Sequence, residues 1–182
     1  MWLRRELYGV TQGYFELFGL DSKFSIDLTT LESNFRKIQS ESHPDRFVTA
    51  NAAEKLKSMQ LATLANEAYQ TLKKPALRAE YLLKLQGIEA ISENNTAMPI
   101  DFLMQQMEWR EAIDDAKNAN DIASLDALLA EMQQEGKALN AALALLIDDH
   151  QDYEAAIEAT RKLTFIDKVS IDINKVIEQI EN

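Results

Sequence analysis

With 182 residues, 46% hydrophobic and 27% charged, the chain has material for one ordinary domain or two small ones. The absence of cysteine excludes disulfides, thiolate zinc sites, cysteine nucleophiles and thiolate ligation of an iron–sulfur cluster. Net charge is −11 but uneven: residues 1–90 hold 12 Lys and Arg against 11 Asp and Glu, whereas residues 91–182 hold 7 against 19, which speaks against nucleic acid and for two domains with different partners.

Met1 to Thr11 carries Arg4 and Arg5 but lacks the apolar stretch and small-residue cleavage site of a secretory signal, so residues 1–12 are expected to be a short arm. Tyr14-Phe15-Glu16-Leu17-Phe18 reads as a short apolar helix stopped by Gly19. Asp27, Thr29 or Thr30 can cap a second helix carrying Leu31, Phe35 and Ile38 at i, i+4, i+7. Pro44 ends it by biasing His43 away from the α region. A third helix is predicted from about Asn51 to Lys73, with Leu61, Leu64, Ala65, Ala68 and Leu72 on one stripe and Pro75 as its stop. The second and third helices form an antiparallel hairpin with His43-Pro44-Asp45 in the loop at its exposed tip. Residues 87–98, with Gly87 and Ser92-Glu93-Asn94-Asn95-Thr96, read as a linker.

Helices then follow at about Ile100–Asn118, Ser124–Ile147 and Tyr153–Ile180, a three-helix bundle over residues 99–182. No strand pattern competes with them. The fold class is all-α. No run approaches the roughly 18–20 apolar residues of a membrane span.

His43-Pro44-Asp45 is a weak signal as a bare tripeptide, since any proline can end a helix. Its chemistry nevertheless suits a docking tip. Pro44 stiffens the turn, Asp45 is a compact anion able to receive an arginine fork, and His43 offers both donor and acceptor.

On the first helix of the bundle, Phe102, Trp109 and Ile113 share a stripe suited to the core. Leu103, Met104 and Met107 point elsewhere, bordered by Glu108 and Glu111. That second patch reads as an interface, as a second core face if the helix sits centrally, or as a dimer contact. Glu108 and Glu111 also sit as paired carboxylates at i, i+3, but neither His43 nor His150 is near them in sequence, and no phosphate loop or nucleophile–base constellation occurs. His150, in Asp148-Asp149-His150-Gln151-Asp152, is expected at a helix end in solvent. No catalytic residue, metal site or cofactor is expected.

The flanks of the tripeptide decide between punctuation and motif. Phe35-Arg36-Lys37-Ile38 precedes it and Asn66-Glu67-Ala68-Tyr69-Gln70-Thr71-Leu72 follows it, an order that resembles the J-domain family over about residues 13–80. The resemblance implies a J-domain over residues 13–86 that docks on a DnaK-type chaperone and triggers its ATP hydrolysis. By matching position His43, Pro44, Asp45, Arg36, Lys37 and Arg46 are implied as chaperone-binding. The chain departs from the family at Glu41 and Ser42, where basic and aromatic residues are usual, so weaker electrostatic steering is expected.

Beyond Pro75 the chain stays helical through Leu77-Arg78-Ala79-Glu80-Tyr81-Leu82-Leu83, and the whole arrangement resembles the HscB family of J-type co-chaperones of iron–sulfur cluster assembly. Phe102-Leu103-Met104, Glu108-Trp109-Arg110-Glu111 and Arg161-Lys162-Leu163-Thr164-Phe165 carry that match. It implies an L-shaped, cytoplasmic, monomeric adaptor whose partners are a HscA-type ATPase chaperone and an IscU-type scaffold. Leu103, Met104, Met107, Glu108, Arg110, Glu111 and Phe165 are implied as scaffold-binding. The alternatives are a general J-protein delivering unfolded clients and a structural helical module that dimerises through the Leu103/Met104/Met107 patch.

Overall fold

The computed structural model describes residues 13–91 and 98–181, and every regular element among them is helical. The expected arm at residues 1–12 lies outside the described residues, as do residues 92–97 of the expected linker. The chain packs as two compact units, one ending at Arg78 and the other starting at Ala79.

In the first unit α1 spans Tyr14–Leu17, α2 Leu28–Glu41 and α3 Ala52–Lys73. Gly19 stops α1 with φ +61°, a conformation that costs a residue without Cβ little. Asp27 caps α2, accepting from the Thr29 N–H at 2.9 Å and the Thr30 hydroxyl at 2.6 Å. Asn51 caps α3 in a reciprocal box with Glu54. α2 packs on α3 through Leu31, Ala65, Ala68 and Leu72, all fully buried. The expected stripe on α3 is thus buried at its alanines and Leu72, while Leu61 and Leu64 are half-buried. Phe35 stacks on Tyr69 at 4.1 Å between centroids and meets Phe18 edge-on at 6.4 Å, an aromatic set that ties α1, α2 and α3 together.

Pro75 both stops one helix and starts another. Lys74 is extended with ψ 122°, and Pro75, which needs no backbone donor, opens α4 (Pro75–Leu85). Arg78 is buried, donates from Nε to the Phe24 carbonyl at 2.7 Å and from Nη1 to the Leu72 carbonyl, and lies over the Phe24 ring. It is a structural cation that satisfies a helix-end carbonyl.

In the second unit α5 (Ile100–Asn118), α6 (Ile122–Ala144) and α7 (Tyr153–Glu181) pack pairwise as a three-helix bundle. Its core holds Phe102, Trp109, Leu125, Met132, Ile166 and Ile173. α6 begins before Ser124, because Asp121 takes the cap position and accepts the Ser124 N–H at 3.1 Å. Its expected end at Ile147 lies within a wider π turn, Leu145–His150, closed by Gln151 in the left-handed region at φ 54°. His150 ends that turn and is exposed.

Hydrogen bonds from Thr30 and Thr29 hold the Asp27 carboxyl below its ordinary value of 3.8, and those from Ser124 do the same for Asp121. A depressed folded-state value means that these caps stabilise fully above the ordinary value and are lost as pH falls through the folded ones. The melting temperature should therefore drop below about pH 4, and an Asp27→Ala/Asp121→Ala variant should show a shallower drop. Equal slopes in a thermal denaturation series from neutral to acid would refute this.

Candidate functional site

α2 ends at Glu41 with Ser42 as its C-cap, and the chain must then reverse to enter α3. Ser42 is buried: its hydroxyl donates to the Ile38 carbonyl at 2.8 Å, and its own carbonyl accepts the buried Ser58 hydroxyl of α3 at 2.7 Å. A buried carbonyl needs such a partner, so the pair fixes where α2 stops against α3. Ser42 is therefore a packing position between the helices rather than an exposed substitute for an aromatic side chain.

The predicted loop is a single 3-10 turn, Pro44–Phe47. His43 is extended at φ −64°, ψ 132°, as a residue before proline prefers, and serves as the cap of the turn. Pro44 takes the first helical position, where its missing N–H costs nothing. His43 Nδ1 accepts the Asp45 N–H at 3.3 Å, a bond that in the neutral imidazole puts the ring proton on Nε2. The side chains of His43 and Asp45 are 59% and 86% exposed, and 3.6 Å separates Nδ1 from the Asp45 carboxylate. The tripeptide is thus pre-shaped by its own backbone while both polar groups remain available.

The surrounding charges are less uniform than the sequence suggests. Arg36 is paired with Glu32 one turn earlier on α2. Arg46 reaches back to the Ser40 carbonyl at 3.5 Å, a long contact that steadies it near the turn. Lys37 is exposed and sits about 100° around α2 from Arg36, on the flank it shares with Glu41.

The second unit carries a different surface. Phe102 and Trp109 are buried, their rings edge-to-face at 6.1 Å, and Phe165 of α7 stacks on Trp109 at 6.1 Å and meets Phe102 at 5.7 Å. The Trp109 Nε1–H donates to Glu131 at 2.9 Å. This cluster orients α5 so that Leu103, Met104 and Met107 are 40%, 56% and 71% exposed. Glu108, Arg110 and Glu111 are exposed beside them. Phe165, grouped with these residues on sequence, is half-buried among the core rings and acts on that face from beneath. Ile100, one turn before Met104, is 69% exposed and extends the apolar face; its place at the start of an amphipathic helix was the available signal. Among the described residues no group of three or more His, Asp or Glu is placed to hold a metal ion, and no helix is long and apolar enough to cross a membrane.

A family model described as the HSCB C-terminal oligomerisation domain matches residues 98–174. A co-chaperone protein HscB homolog from Burkholderia mallei is 49% identical over 97% of this chain and all of the relative. The chain belongs to the HscB family of co-chaperones. Among solved structures it is similar to chaperone HscB from Vibrio cholerae, with TM-score 0.81 and 39% identity over 93% of this chain and 99% of that one. The human co-chaperone protein HscB gives TM-score 0.81 and 29% identity over 90% of this chain and 81% of that one. The all-helical arrangement of a J-domain followed by a C-terminal helical domain is the HscB architecture. The family is one of co-chaperones and not of enzymes.

For a HscB chain the Ser42–Ser58 contact should matter to stability more than to chemistry. Ser58→Ala leaves a buried carbonyl without that donor and should cost about 1–3 kcal/mol. Urea unfolding followed by circular dichroism reads this; a loss below about 0.5 kcal/mol would show that the contact is not needed.

Proposed function

We propose that this protein binds an IscU-type iron–sulfur scaffold through the exposed face of α5, brings it to a HscA-type ATPase chaperone, and stimulates that chaperone through His43-Pro44-Asp45. What carries the reading is that one chain of the HscB family holds both a pre-shaped His-Pro-Asp turn and, on a separate unit, an acid-rimmed apolar face. In this reading residues 13–86 are the J-domain, 87–98 the linker and 99–182 the scaffold-binding domain. The iron–sulfur cluster travels as the scaffold's cargo, in the cytoplasm.

At the chaperone, Asp45 receives an arginine or backbone donors, His43 offers Nε2–H, and Pro44 keeps the two in register. Arg36, Lys37 and Arg46 supply positive charge that favours an acidic docking surface. At the scaffold, Leu103, Met104 and Met107 desolvate against an apolar patch, with Glu108, Arg110 and Glu111 at the rim and Phe165 supporting from the core side. Methionine side chains suit a contact that must be released after each cycle. Linking the two interactions in one chain raises the local concentration of scaffold at the chaperone without tightening either contact.

The working form is a monomer. Self-association through α5 would set the patch of one copy against that of another and oppose Glu108 and Glu111 with their own kind, with Arg110 as their one nearby basic neighbour. Light scattering across a concentration series tests this; a dimer abolished by Met107→Ser would overturn it.

His43→Gln should abolish stimulation of a HscA-type ATPase while scaffold affinity stays within twofold. Leu103→Ala with Met104→Ala should weaken scaffold binding at least tenfold, roughly the loss of two partly desolvated side chains, and leave scaffold-free stimulation intact. Calorimetry and steady-state ATPase assays separate the two, and equal loss of both activities in either variant would sink the two-surface reading.

A further inference from the structure

The chain carries six sulfur atoms, and all are methionine thioethers, since it has no cysteine. Their surroundings divide them. Met132 is fully buried in the core of the second unit, where its sulfur accepts the Ser170 hydroxyl at 3.9 Å. Met98 is half-buried against the same core. Met104 and Met107 stand exposed on α5, and Met59 stands exposed on α3 of the first unit. Met1 lies outside the described residues. At about 100° per residue, Met107 falls between Leu103 and Met104 around the helix. It occupies the middle of the apolar face and, at 71%, is the most exposed of its apolar residues.

An apolar face does not by itself require sulfur, and Ile100 and Leu103 supply apolar surface there without it. Methionine adds a chemistry, because a thioether can give up an electron pair to an oxidant and an aliphatic side chain cannot. One helical turn beyond each methionine lies an exposed carboxylate, Glu108 after Met104 and Glu111 after Met107. Two anions so placed repel anionic oxidants and admit a neutral hydroperoxide. No thiol in the chain competes for it.

We propose that Met104 and Met107 form a reversible oxidation site that releases the scaffold when hydroperoxide is present. The sulfur lone pair attacks the terminal peroxide oxygen, and the S–O bond forms as the O–O bond breaks. Sulfur loses two electrons to the peroxide. The departing alkoxide or hydroxide takes the proton of the transferred oxygen and leaves as alcohol or water. The sulfoxide puts a strong hydrogen-bond acceptor where the face must be desolvated, so the contact with the scaffold weakens. Methionine sulfoxide reductase restores the thioether, two thiols becoming a disulfide as the oxygen leaves as water. Delivery thus halts while peroxide persists and resumes afterwards. The inference rests on the reading that this face of α5 binds an IscU-type scaffold.

The test treats the full chain with hydrogen peroxide, removes the peroxide, locates sulfoxides by mass spectrometry and measures scaffold affinity by calorimetry. Met104 and Met107 should oxidise while Met132 does not, and helix content by circular dichroism should hold. Scaffold affinity should fall about tenfold or more and return after treatment with the reductase and a dithiol. A Met104→Leu/Met107→Leu variant, compared with its own untreated affinity, should change by less than about twofold. Met59 remains in that variant and serves as its internal control. Leu103→Ala with Met104→Ala, run in parallel without peroxide, tests the underlying reading; unchanged affinity there overturns that reading and this inference together. Where that variant does lose affinity, any of four results overturns the oxidation site alone. These are a treated parent chain within about twofold of its starting affinity despite sulfoxide at both positions, an equal loss in the Met104→Leu/Met107→Leu variant, a loss that the reductase does not reverse, and a loss accompanied by melting of the helices.

Discussion

The buried bond from the Ser58 hydroxyl to the Ser42 carbonyl sets the geometry on which the His43-Pro44-Asp45 turn depends. A helix that stops inside a packed hairpin exposes its last carbonyls to a dry environment, and each must find a donor or destabilise the fold. Ser42 fills that need twice, by its own hydroxyl on Ile38 and by its carbonyl on Ser58. With α2 held at that point, Pro44 has one course to take. The following turn then carries His43 and Asp45 outward with their backbone already ordered, so little conformational freedom remains to be lost on docking.

The second unit solves a different problem with aromatic mass. Phe102, Trp109 and Phe165 pack at centroid separations between 5.7 and 6.1 Å, and Trp109 also holds Glu131. A core this well occupied does not need the outer side of α5. The residues there are free to be chosen for contact: Ile100, Leu103, Met104 and Met107 inside a fringe of carboxylates. The negative balance of the second half of the chain thus has a local counterpart in the acid-fringed apolar face of α5.

Ser42 also revises how the departure from the usual J-domain pattern is understood. Read on sequence, Glu41 and Ser42 together removed basic and aromatic character before the turn. In the fold they do different things: Ser42 faces inward and is 2% exposed, while Glu41 is exposed on the flank it shares with Lys37. The added negative charge is therefore confined to one side of α2.

Much of this is legible in the sequence. Helix boundaries followed from local chemistry, since Asp27, Asn51, Gly19 and Pro75 each act within a few residues of chain and need no distant partner. The His-Pro-Asp motif was readable because its flanking segments have a fixed order, and the exposed side of α5 because helical period separates Phe102 and Trp109 from Leu103 and Met107. What sequence could not decide depended on which helix sides face each other. The roles of Ser58 and Arg78, the half-burial of Phe165 and the edge of α3 that adjoins His43 all arise from the packing of one segment on another. A residue's period states that it lies on a side; only the tertiary contact states what that side meets.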